Sequence, residues 1–239
     1  MSLYVARTSA IEMSSESITV HLVGDSTMAD KEAHERPETG WGMPFADRFD
    51  DAVTVANHAR NGRSTRTFLE EGRWRPVARQ LTETDYVFVQ FGHNDEVPSK
   101  EQHTTEAAFV DNLRKFVGET REQGATPVLL TPIARRQFDD GGVPKDTHRA
   151  YADLTRTVAL DRDVPLIDTD ERTRALLAEL GPDASTALYN HLEPGEHSNY
   201  PEGIADDTHF SEHGARRMAD VVLGGVAELD LGLAAHVES

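Results

Sequence analysis

The sequence predicts an α/β protein built on a five-stranded parallel sheet. Short apolar runs typical of buried strands recur five times, at residues 18–23, 53–56, 86–91, 126–130 and 164–167. Segments with helical spacing lie between these runs, most clearly from about residue 106 to residue 123, where Gly124 ends the pattern. Because strands that alternate with helices usually pair in parallel, we expect helices to pack on a parallel sheet.

The length and composition predict one domain. The chain has 239 residues, of which 38% are hydrophobic, which is enough for one sizeable core. We expect residues 1–17 to form a disordered or extended N-terminal segment and residues 18–232 to form the domain. The first seventeen residues lack the apolar core of a secretory signal, so a cytoplasmic location is predicted. The chain has no cysteine, which excludes disulfides and thiolate metal sites.

The charge balance is strongly acidic. Lysine and arginine number 24 against 42 aspartate and glutamate residues, a formal net charge of -18. Nucleic acid and anionic membranes would be repelled, so neither is expected as a partner. Lysine occurs only at Lys31, Lys100, Lys115 and Lys145. An acidic, lysine-poor composition is typical of halophilic proteins, in which salt screens the self-repulsion. The sequence does not set the oligomeric state.

Polar turn residues follow the first three predicted strands. Ser26 follows the first strand, Gly62 the second and Asn94 the third, and a parallel sheet brings all three to one edge. They offer a hydroxyl, a backbone N–H and a side-chain amide, the groups that acyl transfer needs as nucleophile and oxyanion donors. The alternative is structural: a helix cap, a turn glycine and an Asx turn.

A general base is expected just before the last helix. Serine is a weak nucleophile unless a histidine accepts its proton, and that histidine must be oriented by a carboxylate. Asp206 and His209 are three residues apart and fit these roles, with Asp207 as the competing carboxylate. His209 and His213 also match the zinc motif H-x-x-E-H. The predicted N-cap Ser211 would place only His213 on the helix, however, so no metal is expected.

Taken together, these segments resemble the four sequence blocks of the SGNH (GDSL-like) hydrolases. The likeness is narrower to the rhamnogalacturonan acetylesterase branch, through residues 24–29 (GDSTMA), 40–42 (GWG), 71–73 (EGR) and 206–209 (DDTH). The resemblance implies a flavodoxin-like three-layer α/β/α sandwich and a serine esterase without a cofactor. It implies that Ser26 is the nucleophile, His209 the base and Asp206 its orienting carboxylate. The implied oxyanion hole consists of the Ser26 and Gly62 N–H groups and the Asn94 side chain.

The branch acts on acetylated pectic oligosaccharides, so this chain is expected to remove O-acetyl groups from such substrates. Pectic chains are polyanionic, and Arg63 and Arg66, with Arg60, flank the Gly62 turn and are candidates for binding a uronate. The alternative is that they form surface ion pairs. The long segment 181–204 shows no helical or strand periodicity. Its aromatic side chains are expected either to form a sugar platform or to pack the loop, and they are Tyr189, His191, His197 and Tyr200.

Other functions stay open at this point. Within the enzymes, the chain could be a xylan or other carbohydrate acetylesterase, or a short-chain lipase or thioesterase. Outside them, it could be a catalytically idle relative that binds glycans.

Overall fold

The computed structural model describes residues 17–229 and 231–238. The central sheet consists of β1 (Ile18–Gly24), β2 (Val53–Asn57), β3 (Tyr86–Gln90), β4 (Thr126–Leu130) and β5 (Leu166–Ile167). All four neighbouring pairs are parallel, in the order β2-β1-β3-β4-β5. This confirms the predicted five-stranded parallel sheet. The predicted N-terminal segment falls outside the described residues except for residue 17.

Helices cover both faces of the sheet. They are α1 (Gly42–Phe45), α2 (Thr65–Glu70), α3 (Trp74–Gln80), α4 (Glu106–Glu122), α5 (Arg149–Arg162), α6 (Thr169–Ala184) and α7 (Glu212–Glu228). Successive strand residues point to opposite faces, so β1 sends Leu22 into a core with Met218 of α7, and Val23 into a second core with Phe116 of α4. The two cores on either side of the sheet make the predicted three-layer sandwich.

The last helix begins where the sequence predicts. The Ser211 hydroxyl accepts a hydrogen bond from the Gly214 N–H at 3.0 Å, which satisfies one of the unpaired amides of the first turn of α7. The residues just before this cap are therefore extended rather than helical. His209 lies in that extended segment.

The segment 181–204 is more regular than predicted. Helix α6 continues to Ala184 through a kink at Gly181, and a short 3-10 helix follows at Ser185–Leu188. Strand β6 (Tyr189–Leu192) then pairs antiparallel with β7 (Ile204–Phe210). The prediction of an irregular loop is wrong because β6 has only four residues and its partner β7 is polar and half-exposed, so neither strand has the apolar pattern of a buried strand. Only residues 193–203 connect the two strands.

The strand order fixes where a ligand can bind. The chain leaves β1 for β2 on one side and then crosses to β3 on the other, so the carboxyl ends of β1 and β3 flank the topological switch point of the sheet.

Beyond the predicted domain boundary at residue 232, Leu233 is buried and Val237 forms a β-bridge with Phe49. None of the described helices is both long and apolar enough to cross a membrane. The cytoplasmic location stays a prediction.

Candidate active site

A tight turn presents Ser26 at the end of β1. The N–H groups of Met28 and Ala29 donate to the Asp25 carbonyl at 3.3 and 3.1 Å, so a single helical turn follows the strand. The Asp25 carboxyl accepts from the Thr27 N–H at 3.0 Å and from the Thr27 hydroxyl at 2.9 Å. Burial raises the pKa of Asp25. The Asp25 carboxyl thus stabilises the turn through its hydrogen bonds to Thr27, and Ser26 lines a cavity next to this turn.

Ser26, His209 and Asp206 form a hydrogen-bonded chain. Ser26 Oγ lies 2.8 Å from His209 Nε2, and His209 Nδ1 lies 2.7 Å from Asp206 Oδ2. An ionised carboxylate can only accept, so His209 Nδ1 carries the proton and Nε2 is free to accept from the Ser26 hydroxyl. Ser26 and His209 are 183 residues apart in the sequence, and the structure brings their side chains together. This arrangement can deprotonate a serine as it attacks a carbonyl.

The structure distinguishes Asp206 from Asp207. Asp206 Oδ1 accepts from the backbone N–H groups of Thr208 at 2.7 Å and His209 at 3.0 Å, which leaves Oδ2 for the imidazole. Burial raises the pKa of Asp206, but its hydrogen bonds and the His209 charge outweigh burial and lower the pKa to about 2. Asp207 instead contacts Arg136 at 2.8 Å and His191 at 2.9 Å. Of these two carboxylates, Asp206 is therefore the one that contacts the His209 imidazole.

The three predicted oxyanion donors are the Ser26 and Gly62 N–H groups and the Asn94 side-chain amide, and their residues line one cavity. Gly62 has φ 71°, a left-handed conformation that glycine adopts without strain, although a Cβ there would meet no neighbour within 4 Å. Among the described residues, no acceptor pairs with the Ser26 or Gly62 N–H. Asn94 Nδ2 donates to the Arg63 carbonyl at 3.0 Å, and Lys100 Nζ donates to Asn94 Oδ1 at 3.1 Å. One Asn94 N–H thus stays available for a ligand.

All five predicted catalytic and oxyanion residues line one cavity of about 460 Å³. The remaining wall is also polar or charged, and it consists of Glu35, Glu38, Asn61, His93, Lys100, Arg135 and Thr208. An apolar side chain is not among the described residues of this wall. The composition of this wall therefore suits a hydrophilic ligand.

His209 does not share a helix face with His213, because His209 lies in β7 and His213 in the first turn of α7. Both ring nitrogens of His209 are already hydrogen-bonded to Ser26 and Asp206. In the part of the chain that the structure describes, no group of three or more potential metal ligands converges. The geometry thus matches the predicted serine, histidine and aspartate arrangement and not the alternative zinc motif.

The arginines near Gly62 are engaged in contacts within the protein. Arg63 Nε contacts both carboxylate oxygens of Glu71 at 3.1 Å, and Arg63 Nη1 donates to the Asn61 carbonyl at 2.8 Å. Arg66 pairs with Glu70 at 2.6 Å and donates to the His103 carbonyl. Arg60 is exposed and lies 3.9 Å from Glu32. None of the three is among the described residues that line the catalytic cavity.

The predicted sugar platform needs a correction. Tyr189 is 1% exposed and its hydroxyl donates to the Ala134 carbonyl at 3.0 Å, so it belongs to the core and is not available to a sugar. His191 lines a separate cavity. His197 and Tyr200 bridge to each other, and the Tyr200 hydroxyl donates to the Glu35 carbonyl at 2.8 Å. The Tyr200 hydroxyl thus contacts the segment that carries Glu35, a residue of the cavity wall.

Several polar residues that surround the site were not predicted from the sequence. Gln90, at the end of β3, is fully buried and accepts from Trp41 Nε1 at 2.8 Å beneath the Ser26 turn. Arg135 donates to Thr208 Oγ1 at 2.8 Å and to the His93 carbonyl at 3.2 Å. Lys31 and Lys100 are two of the four lysines in a lysine-poor chain. The scarcity of lysine in this sequence is the feature that distinguishes these two residues.

The sequence comparisons agree with this geometry. A profile of the GDSL-like Lipase/Acylhydrolase family matches residues 22–217. The chain is 42% identical to rhamnogalacturonan acetylesterase RhgT of Bacillus subtilis, over 95% of this chain and 97% of that protein. It is 28% identical to a rhamnogalacturonan acetylesterase of Emericella nidulans, over 89% of this chain and 88% of that protein.

Solved structures share the fold. Protein YxiM of Bacillus subtilis aligns with a TM-score of 0.78 at 24% identity, over 91% of this chain and 58% of that chain. The acetylxylan esterase Axe2 of Geobacillus stearothermophilus aligns with a TM-score of 0.62 at 21% identity, over 92% of this chain and 96% of that chain. With the family profile spanning most of the chain, this protein belongs to the GDSL-like lipase/acylhydrolase family.

Proposed function

We propose that this protein is a serine carbohydrate acetylesterase that removes O-acetyl groups from pectic, rhamnogalacturonan-type oligosaccharides. The observation that carries the proposal is the 2.8 Å contact between Ser26 Oγ and His209 Nε2 at the wall of a polar cavity. The 42% identity to RhgT over nearly the whole of both chains supports the choice of substrate class.

The reaction proceeds through an acetyl-enzyme. Ser26 Oγ attacks the ester carbonyl while His209 Nε2 accepts the hydroxyl proton, and the Ser26–acetyl bond forms as the sugar alcohol leaves with that proton. Water then attacks the acetyl group as His209 accepts its proton, and acetate is released as the Ser26–acetyl bond breaks and Ser26 Oγ takes the proton from His209. In both steps the N–H groups of Ser26 and Gly62 and the Asn94 amide stabilise the tetrahedral oxyanion. Asp206 stabilises the imidazolium that forms.

A polar wall favours acetyl esters over long acyl chains. A lipase needs apolar surface to bind its acyl chain, whereas the described cavity wall consists of polar and charged residues and Gly62. A short-chain esterase with a sugar leaving group fits this composition. The lipase alternative therefore has less support than the acetylesterase.

Uronate binding is better supported at Lys100 than at Arg63 or Arg66. Lys100 lines the cavity, and its ammonium has two N–H groups beyond the one donated to Asn94 Oδ1. The protein's charge of -18 repels a pectic polyanion, so a cation at the cavity is needed to offset that repulsion locally. Lys100 supplies that charge beside the oxyanion site.

The acidic surface suggests that the enzyme works in high salt. Among the described residues, only Val143 and Leu160 are large, exposed hydrophobic side chains, and the charge is strongly negative. Salt would screen the self-repulsion, so we expect both the melting temperature and the activity to rise with KCl concentration. A melting temperature that falls steadily with added KCl would contradict this part of the proposal.

The test is acetate release from a substrate panel. Acetylated rhamnogalacturonan, acetylated xylan and nitrophenyl esters of increasing acyl length are incubated with the wild type and with Ser26→Ala. We expect the fastest acetate release from rhamnogalacturonan, rates that fall with acyl length, and no reaction with Ser26→Ala. Preference for octanoate would indicate a lipase, preference for acetylxylan a xylan esterase, and binding without acetate release an idle relative.

A further inference from the structure

The ammonium group of Lys31 lies buried directly behind the Ser26 turn. Its side chain is fully buried, although lysine is among the residue types least often found inside proteins. Lys31 Nζ donates three hydrogen bonds of 2.7 Å, to the Ser26 carbonyl, to Asn61 Oδ1 and to Glu38 Oε1. All three N–H groups of the ammonium are therefore satisfied, and the charge is paired with one carboxylate.

Two of these three bonds reach residues that carry or adjoin oxyanion donors. The Ser26 carbonyl belongs to the residue that supplies one of the proposed oxyanion N–H groups, so the bond from Lys31 restrains the backbone of that residue. Asn61 precedes Gly62, and their shared peptide carries the Gly62 N–H. Lys31 thus restrains the Ser26 N–H and the Gly62 N–H relative to each other.

Two hydrogen bonds restrain Asn61, whose carbonyl belongs to the same peptide group as the Gly62 N–H. Lys31 binds the Asn61 side chain, and Arg63 Nη1 donates to the Asn61 carbonyl at 2.8 Å. In a trans peptide the C=O and N–H point in opposite directions, so holding the carbonyl on one side aims the Gly62 N–H to the other. Glycine at position 62 is conformationally permissive, and an unrestrained peptide there would sample other orientations.

The third hydrogen bond of Lys31, to Glu38, reaches a residue of the cavity wall. Glu38 lines the cavity and is largely buried beside Lys31. Glu35, also in the wall, accepts a hydrogen bond from Asn61 Nδ2. The same ammonium therefore links the nucleophile turn, the Gly62 turn and the segment of residues 35–38.

We propose that Lys31 is a positioning residue that sets the spacing of the Ser26 and Gly62 oxyanion donors. The inference rests on the proposed function, because it assigns a role in the same acyl transfer. Those donors act on the transition state more than on bound substrate, so the loss of Lys31 should lower kcat and leave KM nearly unchanged. A misplaced donor costs up to about 100-fold in rate, so we expect kcat to fall by about 10- to 100-fold.

The experiment compares Lys31→Ala with and without methylammonium, using acetyl ester hydrolysis and circular dichroism. The small cation fits the space that the lysine head group leaves and should restore part of kcat, which it would not do for a variant that is merely unfolded. Lys115→Ala is the matched control, because Lys115 is half-exposed and, among the described residues, forms an ion pair with Glu119 on α4 alone. Its kcat should equal that of the wild type in both conditions.

Removing Lys31 alone leaves the Glu38 carboxylate unpaired, so the double variant Lys31→Met with Glu38→Gln guards against misfolding. The same loss of kcat in this folded double variant supports the proposal. Wild-type kcat in either folded variant, or a rise in KM with kcat unchanged, would overturn it. These results are separable from a failure of the proposed function, which would appear as an inactive wild type or an active Ser26→Ala variant.

Discussion

Replacing Asp206 by asparagine tests the orientation of the His209 imidazole. Asp206 Oδ1 accepts from two backbone N–H groups, at 2.7 and 3.0 Å, and asparagine would keep its own oxygen in that position. Its NH₂ group would then face His209 Nδ1, which lies 2.7 Å from Oδ2 in the native protein. An NH₂ group can only donate, so Nδ1 would have to accept and the ring proton would move to Nε2. The imidazole could then no longer accept the Ser26 proton.

The wrong tautomer lowers kcat by about 10⁴-fold in a serine, histidine and aspartate arrangement. At 1.36 kcal/mol for each factor of ten, that loss corresponds to about 5 kcal/mol of transition-state stabilisation. The assay is steady-state hydrolysis of an acetyl ester, together with thermal unfolding to show that Asp206→Asn is folded.

Asp207→Asn is the matched control for this prediction. Asp207 binds Arg136 and His191 and not the His209 ring, so its loss should change kcat by less than about tenfold. If Asp206→Asn is folded and its kcat is within tenfold of the wild-type value, Asp206 does not set the tautomer of His209. Loss of activity in Asp207→Asn alone would show that the neighbouring carboxylate orients the imidazole.

Three further predictions concern the oxyanion site, substrate charge and acid stability. Asn94→Ala removes one donor and should lower kcat by about 100- to 1,000-fold, measured on the same ester; a change below threefold would contradict its role. Lys100→Gln keeps a donor for Asn94 Oδ1 but removes the cation, so KM should rise for uronate-bearing oligosaccharides and not for neutral ones. Burial and the neighbouring His21 lower the pKa of His58 to about 4, so the folded protein excludes a proton that the unfolded chain binds below pH 6.5. Stability should therefore fall between pH 6.5 and 4, by about 1–2 kcal/mol from this partly exposed group, and urea unfolding of His58→Gln should show a shallower loss.

The sheet and most of the site could be predicted from local sequence. Ser26, Gly62 and Asn94 each follow an apolar run, and the rule that parallel strands end at one edge brings them together without any long-range information. Asp206 and His209 are close in sequence, so their mutual contact could also be expected. Their approach to Ser26 could not be derived from spacing alone. The resemblance to the SGNH hydrolases is what implied that Asp206 and His209 act together with Ser26.

The supporting contacts could not be predicted because they join distant parts of the chain through polar atoms. Lys31 reaches Asn61, and Arg135 reaches Thr208, with no periodic pattern to indicate either pair. For Tyr189 the sequence leaves open whether the ring contacts a sugar or packs the segment, and the structure shows that the ring is buried. Hydrophobic periodicity describes which face of an element is buried, and it says little about a short hairpin outside the main sheet.

In the proposed reaction, Ser26 becomes acetylated during each turnover. The most direct measurement is mass spectrometry of the protein quenched in acid during hydrolysis of an acetylated oligosaccharide, followed by proteolysis. We expect one added acetyl group on the peptide that contains Ser26, and none in Ser26→Ala. An acetyl group on a different residue, or full hydrolysis by Ser26→Ala, would contradict it.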